Sequence, residues 1–344
     1  MNAGAVWWGQ VGSSLRLLTK VTNDLRDCHS AVLRVPRKFP WRQDFYEAVD
    51  IRRSAFSVER RLMRLQWEEG ADPGGFVLEE LCSEKVRADY WPGQSYADYL
   101  GSREDILLND YYVWVAGVHQ KADVVKWAEF ISQYEKTAGQ MPSRAVYMIE
   151  YDGPEVELCD VEQISYTVEN CDCRVFSLEA AAALENTDLR NYQAELALTM
   201  GRNDPERCYE LLLTGTRLLQ DPVRTAAEVI GASTGEQVIQ SAAWEGSIIF
   251  LFPVLERYRM EFIARNRWEL ARHLPVVNSN GHQVTDPCDL EFGTLNSIVT
   301  AADNAFAGGD VEAVKLCRRV RNLLAHNKTV PLEDVRKILT LRKE

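Results

Sequence analysis

The chain has 344 residues, of which 46% are hydrophobic and 26% are charged, and its formal net charge is −12. This length is enough for two folded domains. The sequence contains no apolar run of about 18 residues, so we predict no membrane span. Its N-terminus lacks the features of a signal peptide, so we expect a cytoplasmic protein. The negative charge argues against broad, non-specific binding to nucleic acid, because such binding requires lysine and arginine to neutralise phosphates.

Residues 1–178 alternate between strand-like and helix-like segments. Short runs rich in β-branched, aromatic and other apolar residues predict strands at residues 31–35, 111–118, 144–151 and 173–176. Apolar residues recur at helical spacing in residues 14–27 and 124–134. Strands that alternate with helices are typical of a parallel sheet, so we predict an α/β domain with a mainly parallel sheet.

The order of these segments resembles the core of P-loop NTPases, although the residues that bind nucleotide are missing. In that family a glycine-rich loop with a Lys-Ser or Lys-Thr pair follows the first strand, because its backbone N–H groups and its lysine bind phosphates. Here the first predicted strand is followed by PRKFPWRQDF, which contains neither feature. A later strand ends with Ala116 and Gly117 where an acidic residue for magnesium is expected.

The resemblance therefore implies a degenerate NTPase-like domain that is retained for protein contacts. The alternative is an α/β domain with no relation to nucleotide chemistry, since a fold alone does not define a function. In either case we predict no cofactor and expect no ATP hydrolysis. We also predict no metal site, because Cys159, Cys171 and Cys173 are spaced unlike any common zinc-binding motif.

From residue 179 to residue 344 the pattern is helical, and we predict an all-α domain there. Asp204-Pro205 and Asp221-Pro222 are typical helix starts, with the aspartate as N-cap and the proline in the first turn. Residues 236–270 show helical spacing throughout. Two further helices are predicted near the end of the chain, one from Val311, with Asp310 as its cap, and one from Leu332.

The helix predicted from Val311 carries the sequence R-N-L-L-A-H at residues 321–326. Its apolar residues recur every three or four positions and predict one buried face, made by Val311, Val314, Cys317, Val320 and Leu324. Asn322 and His326 are four residues apart, so both are expected to project from one side, away from that face, with Arg321 on its flank. Histidine transfers protons near neutral pH, and arginine makes forked hydrogen bonds to phosphate.

This motif and the long helical segment that precedes it resemble the R-x4-H motif of HEPN-type helical domains, over roughly residues 190–344. The resemblance implies metal-independent RNA cleavage by a homodimer in which two motifs meet. It implies His326 as base or acid, Arg321 as the stabiliser of phosphate charge and Asn322 as an orienting residue. Together with a degenerate NTPase-like domain, it implies a ribonuclease or toxin of a bacterial anti-phage defence system, restrained by a protein partner.

A structural interpretation of the same residues stays open. Arginine and histidine near the end of a helix also bind its free carbonyls and favour its dipole. The chain would then be a non-catalytic adaptor or scaffold subunit of a defence complex. A shared, exposed cleft for Arg321 and His326 would favour the ribonuclease, whereas burial or separation would favour the adaptor. His119 is a weaker candidate, because it follows the strongest predicted strand.

Overall fold

The computed structural model describes residues 2–139, 143–184, 188–231, 234–278, 281–302 and 305–341. The chain divides into two compact units, with the division between Asp172 and Cys173. The expected domain boundary after residue 178 lies within a helix, Asn170–Leu184, that begins in the first unit and continues in the second.

The first unit contains a five-stranded sheet. Its strands are β1 (Ala31–Arg34), β2 (Arg61–Gln66), β3 (Tyr111–Val118), β4 (Val146–Tyr151) and β5 (Glu162–Ser165). The strands lie in the order β2-β3-β4-β1-β5, and every neighbouring pair is parallel. The prediction of an α/β fold with a parallel sheet is therefore confirmed for this part of the chain.

Three predicted strands are confirmed as β1, β3 and β4, but the strand predicted at residues 173–176 is wrong. Those residues belong to a helix, in which Cys173 and Phe176 are both buried at a helical spacing of three. The sequence patterns also missed β2 and β5. Both are edge strands without a fully buried residue, so they lack the apolar signal by which a central strand is recognised.

Helices cover both faces of the sheet. Those of the first unit are α1 (Ala3–Gln10), α2 (Gly12–Arg26), α3 (Arg42–Ser54), α4 (Pro73–Leu81), α5 (Glu84–Ala88), α6 (Tyr96–Gly101) and α7 (Lys121–Ala138). Successive residues of β3 point to opposite faces. Val113 belongs to the core shared with Trp127 and Ile131 of α7. Trp114 instead lies 5.9 Å from Phe45 of α3, between ring centroids.

A buried carboxylate joins the sheet to α3. Glu150 of β4 is 3% exposed and accepts hydrogen bonds from Tyr46 Oη at 2.6 Å and from Trp114 Nε1 at 3.3 Å. Its other oxygen lies 3.1 Å from Arg42 Nη1. Burial and the neighbouring Glu150 carboxylate raise the pKa of Tyr46 above its ordinary value, so the phenol stays protonated as a donor.

Replacing this carboxylate should destabilise the first unit. Glu150→Ala leaves the buried donors of Tyr46 and Trp114 and the Arg42 charge without a partner, so we expect a loss of about 3 kcal/mol in unfolding free energy. Urea unfolding followed by tryptophan fluorescence measures it. Glu157→Ala, on an exposed glutamate, should change stability by less than about 0.5 kcal/mol. Equal unfolding midpoints for the two variants would contradict this prediction.

The second unit is built mainly of helices. They are α8 (Asn170–Leu184), α9 (Arg190–Gly201), α10 (Pro205–Leu213), α11 (Thr216–Gln220), α12 (Pro222–Ile230), α13 (Glu236–Arg265), α14 (Arg267–Arg272), α15 (Phe292–Ala301), α16 (Gly308–Ala325) and α17 (Leu332–Thr340). The expectation of a purely helical domain needs one correction, because β6 (Val276–Val277) and β7 (Gln283–Val284) form a short antiparallel pair. Their valines are β-branched and suit an extended backbone.

The longest helix, α13, packs against α9 and α16. Its length and apolar composition match those of a membrane-spanning helix, but the core helix of a globular protein meets the same criterion, so this is weak evidence for a membrane. Ten of its residues are buried, including Leu251, Leu255 and Phe262. The long helix predicted at residues 236–270 is in fact interrupted at Asn266, between α13 and α14.

The motif helix begins three residues earlier than predicted. α16 starts at Gly308, and Asp310 is not its cap. The Asp310 carboxylate instead accepts hydrogen bonds from Tyr258 Oη at 3.4 Å and from Arg265 Nη2 at 3.2 Å, both on α13. Asp310 therefore pairs with α13, and Ala307 occupies the N-cap position of α16.

Candidate functional site

One face of α16 is buried against its neighbours α13, α15 and α17. The buried residues are Ala313, Val314, Leu316, Cys317, Val320 and Leu324. They include four of the five predicted from the apolar spacing; Val311 is only half-buried. Burial raises the pKa of the Cys317 thiol to about 12, so this cysteine is a packing residue and not a nucleophile at neutral pH.

The three residues of the motif lie on the exposed part of this helix, but not in one place. Asn322 and His326 line the same groove, which has a volume of about 440 Å³. Arg321 lines a different recess of about 360 Å³. Five residues correspond to a rotation of about 140° around an α-helix, so Arg321 and His326 of one chain project in different directions. The spacing thus brings Asn322 and His326 together and separates both from Arg321.

The groove that holds Asn322 and His326 is rich in positive charge. Its lining residues are Asn296, Lys315, Arg318, Arg319, Asn322, Leu323, His326 and Lys328. Four of them are lysine or arginine, and none of these described lining residues is acidic. The groove is therefore a cationic surface on a chain whose net charge is −12.

Two of the four cations already have partners. Lys315 Nζ lies 2.8 Å from Glu312 Oε1. Arg319 makes a forked pair with the carboxylate of Asp334 on α17, with Nε 3.0 Å from Oδ2 and Nη2 bonded to Oδ1. Asp334 is 7% exposed, so this pair joins α16 to α17.

Arg318 and Lys328 are the free cations of the groove. Both are exposed, and neither side chain forms a hydrogen bond or ion pair within the part of the chain that the structure describes. The same holds for the side chains of Asn322 and His326. These four groups can accordingly bind an anionic ligand without first breaking an internal interaction.

His326 lies where α16 ends. Its backbone N–H bonds to the carbonyls of Asn322 and Leu323, both at 3.2 Å. Asn327 follows in the left-handed conformation at φ +54°, and Lys328 N–H reaches back to the Leu323 carbonyl at 2.9 Å. This is the Schellman arrangement, which turns the chain sharply at a helix C-terminus. It places His326 and Lys328 at the same end of the groove.

Side chains of α13 bond to two carbonyls at this end. Trp244 Nε1 donates to the Leu324 carbonyl at 2.6 Å, and Gln240 Nε2 donates to the Asn327 carbonyl at 3.2 Å. The structural interpretation of the motif predicts instead that Arg321 or His326 bonds to the free carbonyls of the helix end. Within the described residues the imidazole of His326 bonds to neither carbonyl and lines the groove.

Sequence reasoning missed part of this groove. The sequence shows Arg318, Arg319 and Arg321 as a small basic patch, but it does not show that Arg319 is tied to Asp334 while Arg318 stays free. Lys328 lies two residues beyond the motif, and only the turn at Asn327 brings it back. Asn296 belongs to α15, a helix that the sequence patterns did not predict.

The recess that holds Arg321 has the opposite electrostatic character. It is lined by Phe252, Glu256, Arg259, Cys288, Asp289, Glu291, Phe292 and Arg321. Three of these residues are carboxylates. Arg259 is occupied, because its guanidinium bonds to Glu256 and to the carbonyls of Cys288 and Leu290. Arg321 forms no side-chain hydrogen bond or ion pair within the described ranges.

The weaker candidates lie in the first unit. His119 Nδ1 is 2.8 Å from Asp152 Oδ1 at the carboxyl edge of the sheet. Glu169, Cys171 and Asp172 place ligand atoms within 4.8 Å of one another, but exposed acidic groups are common without a metal. Of the three clustered cysteines, Cys159 is exposed as well. These groups show no further feature that points to a ligand.

The hydrogen bond from Trp244 should determine how firmly the end of α16 is held. Trp244→Phe removes the indole donor, so we expect faster amide exchange in residues 325–328 and a loss of about 1 kcal/mol in stability. Hydrogen-exchange mass spectrometry measures the first effect and urea unfolding the second. The control is Trp268→Phe, because that side chain is 90% exposed. Unchanged exchange in the Trp244 variant would contradict the assigned role.

No family model and no curated protein matches this chain. The function must therefore be inferred from the geometry of its surfaces. The feature that combines chemistry with accessibility is the cationic groove of α16, in which an exposed histidine and asparagine lie among four basic side chains.

Proposed function

We propose that the helical unit is a HEPN-type, metal-independent ribonuclease that cleaves RNA in the groove of α16. The observation that carries this proposal is the position of His326 and Asn322 in a groove with four cations and no acidic residue among its described lining. Positive side chains attract the RNA backbone, and an exposed histidine supplies proton transfer.

RNA contains its own nucleophile, the 2′-hydroxyl. In the proposed reaction His326 accepts the proton of that hydroxyl as its oxygen attacks the adjacent phosphorus. The bond from phosphorus to the 5′-oxygen breaks, and that oxygen takes up a proton from water as it leaves, while protonated His326 later returns its proton to water. The products are a 2′,3′-cyclic phosphate and a free 5′-hydroxyl. Arg321 stabilises the charge that develops on the phosphate oxygens, and Asn322 orients the phosphate or the imidazole.

A second copy of the chain would complete the site. Arg321 lies across α16 from His326 in the same chain. A two-fold dimer whose interface includes both surfaces would place the Arg321 of each protomer near the His326 of the other, because the contacts of such a dimer are reciprocal. The homodimer implied by the HEPN resemblance therefore fits a motif whose two ionisable residues are separated within one chain.

The first unit would serve as a sensing or partner-binding domain in a bacterial defence system. Its parallel sheet agrees with a degenerate NTPase-like core. β1 is followed by a segment without the glycines and the Lys-Ser/Thr pair that bind phosphates, which supports a role in protein contacts. This part of the proposal rests on the resemblance and on the missing nucleotide-binding residues.

A non-catalytic adaptor is the second candidate function. The observation that favours it is the separation of Arg321 from His326, since an adaptor does not need these residues in one cleft. In that case the cationic groove would be a docking surface for an acidic partner. Cleavage assays distinguish the two functions directly.

Replacement of His326 should abolish cleavage. We expect the purified chain to cut mixed RNA in EDTA, to leave 2′,3′-cyclic phosphate ends and to spare DNA, which lacks the 2′-hydroxyl. His326→Ala should lose at least about 100-fold in rate, the usual effect of removing a general acid or base. The control, His282→Ala, replaces an exposed histidine outside the groove and should retain full activity. Equal rates for both variants would refute the proposed role of His326.

Mixed dimers should reveal whether Arg321 acts across an interface. Arg321→Ala and His326→Ala should each be inactive alone. If each site combines Arg321 of one protomer with His326 of the other, co-expression yields one intact site in every mixed dimer and about a quarter of wild-type activity. A mixture that stays inactive, although the mixed dimer is isolated by two affinity tags, would show that the site does not form in this way.

A further inference from the structure

The strand β2 forms one edge of the five-stranded sheet, with β3 as its neighbour. The N–H of Trp67, the first residue after β2, donates to the Ala116 carbonyl of β3 at 2.8 Å. Because backbone groups of alternate residues point to the same side of a strand, those of every second residue before Trp67 face β3 as well. The backbone groups of the residues in between, Leu62, Arg64 and Gln66, therefore point away from the sheet.

These outward backbone groups form no hydrogen bond within the part of the chain that the structure describes. They leave a ladder of donors and acceptors open along a strand of six residues, which is about 20 Å long. Such an edge can pair with a strand of another chain. Arg61, Arg64 and Gln66 are exposed, which leaves the edge accessible to such a strand.

Three large apolar side chains are exposed just before β2, at the end of α3 and in the loop that follows it. Ile51 and Val58 are 70% and 86% exposed, and Phe56 is 37% exposed. Single exposed apolar residues are normal on a protein surface. Three of them within residues 51–58, beside an open strand edge, favour an interaction surface.

The loop between α3 and β2 is held in place by an arginine. Arg53 lies 2.8 Å from the Asp50 carboxylate and donates to the Ser57 carbonyl at 2.7 Å. It also donates to the carbonyl of Arg60, the residue directly before β2. These bonds fasten the loop to the end of α3, so the exposed apolar side chains are presented by an ordered segment.

The edge is positively charged. Residues 52–64 contain five arginines and one acidic residue, Glu59. Arg61 and Arg64 form no ion pair within the described ranges, although Arg64 Nη1 donates to the amide oxygen of Gln43 at 3.1 Å. The two arginines are three residues apart, so their side chains lie on opposite faces of the sheet. A strand added to this edge therefore meets a positive charge on each of its faces.

The charge and the apolar residues define the chemistry of a partner. Pairing of two β2 strands would bring the arginines of both copies together, and like charges on adjacent strands are destabilising. Acidic side chains would instead neutralise Arg61 and Arg64. Beside these arginines lie half-buried apolar side chains, Leu62 on one face and Met63 and Leu65 on the other. An added strand thus needs apolar residues as well as acidic ones.

We propose that the edge of β2 binds an extended segment of a partner protein that contains both acidic and apolar residues. The segment adds a sixth strand to the sheet, with its backbone bonded to Leu62, Arg64 and Gln66. Its apolar side chains extend to Phe56 and Val58. Backbone hydrogen bonds supply the affinity of such strand addition, and side chains supply its specificity. The inference rests on the partner-binding role proposed for the first unit and does not depend on RNA cleavage by the second.

A random library of 12-residue peptides, panned on the immobilised full-length chain, provides the probe. We expect it to enrich peptides that combine acidic with β-branched or aromatic residues and lack proline, since proline cannot donate to a ladder. Fluorescence anisotropy of a labelled selected peptide measures its affinity. Hydrogen-exchange mass spectrometry should show up to three further protected amides in residues 61–67 when the peptide binds, because the outward N–H groups become bonded.

Two pairs of variants test the edge. Arg64→Pro and Arg64→Ala both remove the charge, but only proline removes an outward N–H, and neither breaks the ladder to β3. Arg64→Pro should bind at least about ten-fold more weakly than Arg64→Ala. Arg61→Glu should weaken binding at least about ten-fold by charge repulsion, whereas Arg224→Glu, on an exposed arginine of α12, should leave affinity within two-fold. Thermal melting establishes that each variant is folded.

The inference is wrong if no peptide is enriched, or if selected peptides bind Arg61→Glu and Arg64→Pro as tightly as their controls. In the second case the first unit would still bind partners, but through another surface. It is also wrong if residues 61–67 already exchange slowly without peptide and Arg64→Pro lowers the oligomeric state, because a second copy then covers the edge. Arg61→Glu should cut RNA at the wild-type rate, so a failure of the ribonuclease proposal is recognised separately.

Discussion

The hydrogen bond between Trp244 and the carbonyl of Leu324 fixes the end of the motif helix, and the candidate site depends on it. The indole nitrogen lies 2.6 Å from that oxygen. The same carbonyl also accepts the Asn327 N–H at 3.3 Å, within the turn that returns Lys328 to the groove. The side chain of His326 is therefore not needed to bond to the carbonyls at the helix end.

The positive charges of the groove attract an anion only over a short distance. The chain as a whole repels polyanions, with a net charge of −12. At physiological salt, however, fields are screened beyond about 8 Å, so a phosphate inside the groove is affected mainly by the nearest cations. Under the proposed function, such a surface would favour selective binding of a closely fitting ligand over sliding along any nucleic acid.

The sequence predicted those parts of the fold that local patterns determine. The buried strands β3 and β4 were recognisable as short runs rich in β-branched, aromatic and other apolar residues. The apolar face of α16 was recognisable because every third or fourth residue is apolar. The edge strands β2 and β5 were not, since their residues remain partly exposed. Residues 173–176 were misassigned because a short apolar run fits a strand and a buried helix equally well.

The candidate site was predictable only in part, because tertiary contacts that the local pattern does not show determine which residues are free. The shared side of Asn322 and His326 follows from helix geometry alone. The role of Arg319 depends on Asp334, which is brought close by the packing of α17 onto α16. Likewise, the acidic surroundings of Arg321 come from α13 and from residues near 289, and the sequence of α16 does not reveal them. Tertiary contacts thus decide which of several adjacent arginines stays available to a ligand.

The position of α16 between two oppositely charged surfaces limits how this region can change in evolution. Substitutions alter one surface at a time, but an insertion or deletion between residues 318 and 326 rotates everything beyond it by about 100°. His326 would then leave the basic groove, and the apolar residues would leave the core. Homologous chains should therefore keep the length of this segment constant.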